Sequence, residues 1–394
     1  MSTLKELLKG VPVEWKTLGE VSELKRGTTI TAKSKTDGTY PVVSGGQKPA
    51  YLNGEYNREG ETITIAGSGA YAGHILFWNE PIFVSDAFSI KPDLSILNTR
   101  YIYVLLLCKQ DWIYNLKRGV GVPHVYSKDV AHLKIPIPYP NNPEKSLEIQ
   151  QKIVKVLDEL SEQNKALTIA LTEEIDNRKK QYEYYREELF RFEGKGVEWK
   201  ILGDENIGVF TRGSGLQKKD FTESGVGCIH YGQVYTFYNT YAYKTKSFVS
   251  DEFAQNARKA KKGDLVIATT SENDEDVCKA VAWLGDEDIA ISSDACFYSH
   301  KLNPKYISYY FQTEQFQKQK RKYITGTKVR RVNVNDLEKI LIPKPATQEQ
   351  ERIVRLLDKF DEATKGIIEA LQTEIDFRNK QYEYYRNQLL AFNN

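Results

Sequence analysis

Six consecutive residues, Gln181-Tyr182-Glu183-Tyr184-Tyr185-Arg186, return unchanged 200 positions later as Gln381-Tyr382-Glu383-Tyr384-Tyr385-Arg386. Ile153-Val154 and Leu157-Asp158 return at the same offset as Ile353-Val354 and Leu357-Asp358. Val13-Glu14-Trp15-Lys16-Thr17-Leu18-Gly19 returns as Val197-Glu198-Trp199-Lys200-Ile201-Leu202-Gly203, at an offset of 184. A chain with this much internal identity is a duplication, and each copy must solve the same folding problem. The offsets differ by 16, so the second copy carries extra residues between its Trp motif and its tail. Between the repeated ends little survives: residues 28–53 and 214–243 share few matches. A framework is kept twice while the material inside it diverges.

The repeated tails read as helices. Residues 147–191 contain neither proline nor glycine, and Ile149, Ile153, Leu157, Leu160, Leu167, Leu171, Ile175, Tyr182, Tyr185 and Leu189 recur in steps of three, four and seven. That spacing lines one face of a long helix, interrupted by Asn164 and Arg178. The second tail repeats it with Ile353, Leu357, Phe360, Ile367, Leu371, Ile375, Tyr382, Tyr385 and Leu389. Each tail follows a proline-containing strand, Ile135-Pro136-Ile137-Pro138 or Ile342-Pro343-Lys344-Pro345, and Thr347 with Gln350 has the spacing of a capping box. A helix of about 45 residues is roughly 65 Å long and must bury its stripe, for which the other tail is the nearest match. The intervening segment, with a radius of gyration of about 15 Å, cannot easily carry the chain back to the start of the first helix. The tails are therefore expected to run antiparallel, with a globular domain at either end of the rod and an approximate two-fold axis between them.

The expected division is a first domain over residues 1–146, a long helix over 147–191, a second domain over 192–346 and a second long helix over 347–394. Short β-branched and aromatic runs such as Thr62-Ile63-Thr64-Ile65, His74-Ile75-Leu76-Phe77-Trp78 and Leu265-Val266-Ile267-Ala268 alternate with glycine-rich turns. Helices are expected at Thr99–Lys117 and Lys305–Arg321. The fold class is α+β: two mixed α/β domains separated by a pair of long antiparallel coiled-coil helices.

The net charge is only +2, so any nucleic-acid surface must be local. The most basic stretch runs from Lys318 to Arg331 without an acid and holds Lys320, Arg321, Lys322, Tyr323, Thr325, Lys328 and Arg330. The same slot of the first copy holds Lys117, Arg118 and His124 around Gly119 and Gly121. A charge run is by itself an ordinary solvated face; recurrence in both copies puts phosphate binding on an equal footing. Arg26-Gly27-Thr28 and Arg212-Gly213-Ser214 recur likewise, either as phosphate clamps or as turns closing the first strand. Base reading needs amide, hydroxyl or cationic groups on loops. Gln47, Lys48, Ser68 and Tyr71 fit in the first copy, and Gln217, Lys218, Lys219, Tyr231, Gln233, Ser271 and Asn273 in the second.

Catalytic signals fail. Asn79-Glu80-Pro81-Ile82-Phe83 lacks the second proline and following aromatic of an amino-methyltransferase tetrad, and Gly67 to Gly73 reads as a turn rather than a nucleotide loop. The P-loop pattern is absent, and His74, His124, His132, His230 and His300 show no metal-ligand spacing. Ser85-Asp86-Ala87 recurs as Ser293-Asp294-Ala295, which points to a structural turn. Cys108, Cys228, Cys278 and Cys296 form no C-x-x-C pair and suit reduced thiols in a cytoplasmic protein; no apolar run is long enough for a membrane span.

The order variable–helix–variable–helix, the I-P-I-P and L-I-P-K-P exits, the runs EIQQKIVKVLD and QEQERIVRLLD, and the RKKQYEYYR and RNKQYEYYR tails resemble the specificity subunits of type I restriction–modification enzymes. Ala166 to Glu173 resembles the tetrapeptide repeat of the IC-type subgroup, with Ile169 in place of the usual acid. The resemblance implies two target-recognition domains, each reading one half of an asymmetric interrupted site in double-stranded DNA. It implies that the helices set the gap and dock two modification subunits; Tyr184, Tyr185, Arg186, Tyr384, Tyr385 and Arg386 are the docking candidates. This chain would be non-catalytic and bind no cofactor. S-adenosylmethionine would sit on the modification subunits, and ATP with Mg on motor–nuclease subunits where the system has them. The competing readings are a diverged fused DNA methyltransferase and a coiled-coil scaffold joining two domains for other ligands.

Overall fold

The computed structural model describes residues 8–31, 33–34 and 36–392 and falls into two compact units. One comprises residues 1–171 with 372–394, the other residues 172–371.

In the first unit the Trp motif and the proline exit are the two strands of one ribbon. Val13–Thr17 runs antiparallel to Lys134–Pro138, with Trp15 opposite Pro136. The prolines are tolerated because a two-stranded ribbon leaves edges where a missing N–H costs nothing. A four-stranded antiparallel sheet follows in the order Ser22–Arg26, Ala87–Pro92, Thr62–Ala66, Ile75–Trp78. Thr62–Ala66 is buried along its whole length, an environment that suits its β-branched run. A smaller sheet orders Leu52–Asn53, Tyr40–Val43 and Phe83–Val84, the last pair parallel. The helix expected over 99–117 is two helices, Thr99–Cys108 and Gln110–Asn115. It breaks at Lys109, whose N–H turns back to Leu106 and tightens the last turn.

The second unit repeats this plan and enlarges it. Glu198–Ile201 pairs antiparallel with Leu341–Lys344, with Trp199 opposite Pro343. The main sheet orders Gly208–Arg212, Ala295–His300, Leu265–Ala268, Ala280–Trp283 and then Tyr241–Ala242, which joins parallel as a fifth strand. A second sheet orders Ser247–Val249, Val226–Ile229, Ile289–Ile291 and Lys259–Ala260. The helix expected over 305–321 is again two, Pro304–Tyr310 and Glu314–Arg321. Thr313, fully buried, starts the second by accepting the Phe316 N–H on its side chain.

The long helices span Pro143–Leu189 and Thr347–Leu390. Within the first unit, the start of the first helix lies antiparallel to the end of the second. Ile149, Ile153 and Leu157 share a core with Leu389, Leu390 and Phe392, and farther along Asn164 donates to Asn379 at 2.9 Å. Within the second unit, Ile353 and Leu357 share a core with Phe190 and Phe192, and Tyr185 stacks on Phe360 with ring centroids 5.1 Å apart. The apolar stripe differs from expectation at three residues, for Leu167, Tyr185 and Ile367 are 37%, 40% and 41% exposed. Beyond Leu160 and Ser161 the next half-buried positions are Asn164 and Thr168, steps of four from Leu160 where strict three–four alternation lands on residue 167.

Each helix is clamped to its own domain by a buried glutamine. Gln150 accepts the Asn98 N–H at 2.8 Å and donates to the Ile96 carbonyl at 2.9 Å. Gln350 accepts the Asn303 N–H at 2.9 Å and donates to the Pro345 carbonyl at 2.9 Å. The capping box expected for Thr347 and Gln350 is absent: the Gln350 N–H bonds to Ala346, so Thr347 lies inside the helix and the glutamine side chain serves its neighbours. Two turns on, Asp158 takes Arg100 at 2.8 Å, while Asp358 takes Lys305 at 2.8 Å and the Tyr309 hydroxyl at 2.8 Å. The repeated Ile-Val and Leu-Asp pairs are this clamp.

Replacing Gln350 with leucine leaves the Asn303 N–H and Pro345 carbonyl unpaired inside the protein, at about 1–3 kcal/mol for each group that cannot reach water. Urea denaturation of Gln350→Leu is expected to show the second unit destabilised by about 2 kcal/mol or more, and Gln150→Leu the first; an unchanged midpoint would remove the clamp from the account. A second test concerns His300, whose two ring nitrogens are buried. Burial lowers its pKa from 6.5 to about 4. The unfolded imidazole therefore takes a proton that the folded one refuses. Its contribution is whole above pH 6.5 and lost as pH falls toward 4, at about 1.4 kcal/mol per pH unit. His300→Gln is expected to flatten the stability–pH profile across that window by about 3 kcal/mol in total.

Candidate nucleic-acid interface

Two of the recurring tripeptides are one structural device. In the first unit Gly27 donates to the Ala87 carbonyl at 2.8 Å and Thr28 to Val84 at 2.9 Å. In the second, Gly213 donates to Ala295 at 3.0 Å and Ser214 to Ile291 at 2.8 Å. A Cβ at Gly27 would collide with the Ser85 carbonyl, and one at Gly213 with the Ser292 carbonyl. The glycines are required because the Arg-Gly turn lies against the Ser-Asp-Ala turn. The exposed Arg26, Thr28 and Arg212 side chains start from this junction. Two further arginines secure it: Arg58, buried, donates to the Arg26 carbonyl at 3.1 Å, and Arg258 to the Arg212 carbonyl at 3.0 Å.

A basic hairpin meets each junction. Arg118 and His124 exchange backbone bonds of 3.0 and 2.8 Å, closing a loop in which Gly119 and Gly121 take φ values of 111° and 108°. The loop is zipped to the Gly67–Gly73 turn by Gly69 N–H to Pro123 and Val125 N–H to Gly67, both at 3.0 Å. Between them the Ser68 hydroxyl donates to the Asp86 carboxylate. Gly45, at the head of the loop carrying the exposed Gln47 and Lys48, backs onto Ser68 and Asp86. Ser68, Arg118 and His124 are thus brought together with the Gly45–Lys48 loop, and Tyr71, 48% exposed, stands on the zipped turn. Lys117 lies over the Tyr114 ring at 4.3 Å, and Arg118 pairs with Asp129 at 3.3 Å.

The second unit builds the same arrangement from different residues. Thr325 and Arg331 exchange backbone bonds of 2.9 Å around Gly326, whose φ is 87°. Val332 donates to Thr269 at 3.1 Å, and Thr270–Ser271 pairs with Arg330–Arg331. The Thr270 hydroxyl donates to Asp294 at 3.3 Å, as Ser68 does to Asp86. Arg212, Thr270, Asp294, Arg331 and Asn333 line a cleft of about 430 Å³ here.

Several residues expected at this surface are buried or already engaged within the fold. Lys320 is fully buried and donates to the carbonyls of Glu275 and Val277 at 2.9 and 2.8 Å; burial lowers its pKa, and it tethers a loop rather than meeting a phosphate. Gln233 is buried, accepting the His230 N–H at 2.9 Å and donating to Ser247 at 2.7 Å, so its amide is consumed within the fold. Ser271 is buried in its short strand, and Asn273 is held by Asp276 at 2.8 Å. Tyr231 is half-buried against His230, whose imidazole is held below its ordinary pKa by burial and by nearby Lys218. Arg321 is occupied by Glu314 at 2.7 Å, Arg330 by Asp274 at 2.8 Å, and Tyr323 is half-buried with Lys339 over its ring. Lys322, Thr325, Lys328, Arg331, Gln217, Lys218 and Lys219 remain exposed.

Among the docking candidates, Tyr184 and Tyr384 are 61% and 55% exposed, while Tyr185 stacks on Phe360 and Tyr385 is half-buried. The arginines turn inward. Arg186 is 14% exposed and reaches Gln312 at 3.4 Å, and the Arg386 Nε is buried, its guanidinium beside Cys108. Both serve their own domains, because a side chain following the two tyrosines faces back across the helix. Asp86, Asp294, Thr270 and Asn333 escaped the sequence reading of the surface; the repeated Ser-Asp-Ala was the signal that could have found the two acids. Among the described residues no group of three His, Cys, Asp or Glu side chains could hold a metal, and no helix is long and apolar enough to cross a membrane.

Comparison with known proteins finds the same duplication. A family model described as the type I restriction modification DNA specificity domain matches twice, over residues 11–177 and 210–376. The chain is 30% identical to the type I restriction enzyme EcoR124I/EcoR124II specificity subunit of Escherichia coli, covering 100% of this chain and 97% of that one. It is 29% identical to a putative type I restriction enzyme specificity subunit of Haemophilus influenzae, over 99% and 98%. Among solved structures, a chain from a study of complex assembly and conformational transition of the type I R-M system is similar in fold, with a TM-score of 0.73, 16% identity, and coverage of 98% of this chain and 100% of that one. The HsdS subunit from Thermoanaerobacter tengcongensis gives a TM-score of 0.54 at 18% identity, over 96% of each chain. With two copies of one DNA-specificity domain spanning most of its length, the chain belongs to the family of type I restriction–modification specificity subunits.

Proposed function

We propose that this chain reads double-stranded DNA for a type I restriction–modification complex, each unit recognising one half of an interrupted, asymmetric site. The boundaries that serve this role are those of the sequence: recognition domains over residues 1–146 and 192–346, and helices over 147–191 and 347–394 that hold the halves a fixed distance apart. The chain performs no chemistry in this reading. Two modification subunits dock on the helices, with Tyr184 and Tyr384 as exposed contacts, and bring S-adenosylmethionine to adenine N6. Motor–nuclease subunits add ATP with Mg where the system has them, and the complex works in the cytoplasm.

One observation carries the reading: a zipped hairpin, a hydroxyl-bound aspartate and an Arg-Gly turn meet in both units, while the exposed residues around them differ. A repeated frame with unlike tips suits two readers of two different half-sites. Phosphate contacts from Arg118 or Lys328 would position a duplex, and neighbouring loops would read base edges.

Methylation mapping of cells expressing the chain with its modification subunit is expected to return one discontinuous adenine-methylated motif with unlike halves. A continuous or palindromic motif would reject the two-reader assignment. In the purified complex, Lys328→Ala is expected to weaken binding to all duplexes alike and to shallow the salt dependence of log K by about one unit of slope. If the helices set the gap, adding four residues after both Leu171 and Leu371 lengthens the pair by about 6 Å. The mapped gap should then widen by roughly one to two base pairs; a methylated motif with its old gap would count against the ruler.

A further inference from the structure

The cleft of the second unit contains a group that a phosphate site should not have. Asp294 lines it together with Arg212 and Arg331. The neighbouring acids Asp129 and Asp274 are each spent on an arginine, but Asp86 and Asp294 form no ion pair among the described residues. Both acids recur at one place in the frame, where the basic hairpin crosses the Ser-Asp-Ala turn.

Bracing alone does not account for a carboxylate there. The strand crossing is already made by backbone: Gly67 donates to the Asp86 carbonyl at 3.1 Å and Thr269 to the Asp294 carbonyl at 3.0 Å. One carboxylate oxygen accepts the hydroxyl of Ser68 or Thr270. The other oxygen of each acid has no protein partner in the described hydrogen bonds and ion pairs. Around Asp86 the walls are bare backbone, for a Cβ built on Gly67 would come within 3.5 Å of the carboxylate and one on Gly45 within 3.7 Å. In the second unit the result is an acceptor-only oxygen, aligned by a hydroxyl, in a cleft that Arg212 and Arg331 also line. Phosphate is repelled by such an oxygen and would sit on the arginines. What the oxygen can take is a neutral donor, and in the major groove of DNA the neutral donors are the exocyclic amino groups of cytosine and adenine.

Resting on the reading that each unit recognises a half-site, we propose that Asp294 and Asp86 are specificity-determining residues, each accepting a hydrogen bond from the amino group of a cytosine or adenine in its own half-site. Arg212 and Arg331 hold the flanking backbone. The hydroxyl of Thr270 or Ser68 acts as a positioning group that orients the carboxylate.

The test uses the complete complex with its modification subunits and the motif found by methylation mapping. Wild-type binding is measured by competition with duplexes in which the adenines and cytosines of one half-site are replaced singly by purine or 2-pyrimidinone, which lack the amino group. One position in the half read by the second unit is expected to lose about ten- to a hundred-fold in affinity. In Asp294→Asn the Thr270 hydroxyl still binds the amide oxygen, so the freed position now carries an N–H₂ donor. That variant should lose its preference at the same base pair, turning toward the keto bases thymine or guanine, with the other half-site unaffected; Asp86→Asn should do the converse. Thr270→Val should weaken binding while keeping the base preference. The assignment is overturned if no amino deletion matters in wild type, or if Asp294→Asn retains its preference at every position. Wild-type complex that fails to discriminate among any duplexes sinks the two-reader function itself, a result distinct from either. Should the asparagine variant not fold, the analogue series on wild type decides alone.

Discussion

A buried glutamine amide fixes each long helix to the domain it leaves, and the rest of the structure takes its geometry from that joint. Gln150 and Gln350, both buried, each satisfy a backbone N–H and a carbonyl. An apolar residue in their place would leave two orphaned groups, and a shorter polar one would not reach both. The apolar residues that follow, Ile153 and Leu157 or Ile353 and Leu357, supply most of the binding energy but little direction, since hydrophobic contact is indifferent to small rotations. Direction comes from the amide and from the ion pairs at Asp158 and Asp358. For a helix of more than forty residues this matters greatly: a few degrees at the joint become several ångströms at the far end.

The same division between fixed and free parts runs through each domain. Gly27 and Gly213 cannot change because another backbone occupies the space of a Cβ, and Arg58, buried, and Arg258, exposed, hold the carbonyl just before each glycine. The hairpins are closed at their necks by paired backbone bonds indifferent to side-chain identity. Arg118 therefore corresponds to Thr325, and His124 to Arg331. A frame held by backbone and buried polar groups, carrying tips held by neither, lets recognition vary without altering the fold.

How much of this the sequence disclosed follows from the range of each interaction. The long helices were legible because their periodicity is local, and so was the strand at Thr62–Ala66. The pairing of the Trp motif with the proline exit was not. Trp15 and Pro136 are 121 residues apart, and nothing in either motif names the other, though their joint recurrence is explained once they are seen as one ribbon. Lys320 shows a different failure. It belongs to a basic run whose members look alike in sequence, yet the helix Glu314–Arg321 turns this one inward onto two carbonyls and leaves Lys322 outside. Gln233 misled in the same way, an amide apt for bases but used for its own fold. The two aspartates were passed over because the recurring Ser-Asp-Ala reads as a structural turn, which its backbone bonds bear out; where their carboxylates lie follows only from the fold.

Charge explains why such a surface is hard to find from composition. Non-specific affinity for DNA grows with every free cation, because each neutralised phosphate releases a counterion. Here three of the candidate arginines are already engaged, Arg118 by Asp129, Arg321 by Glu314 and Arg330 by Asp274, and the whole chain carries a net charge of +2. Any duplex must displace or share those pairs, which lowers affinity for arbitrary sequence more than for a target that also supplies base contacts. Asp294, which lines the cleft of the second unit without an ion pair among the described residues, acts in the same sense, since a carboxylate repels a phosphate. Discrimination then comes as much from what the surface refuses as from what it holds. That balance suits a protein whose partners modify whatever sequence it selects.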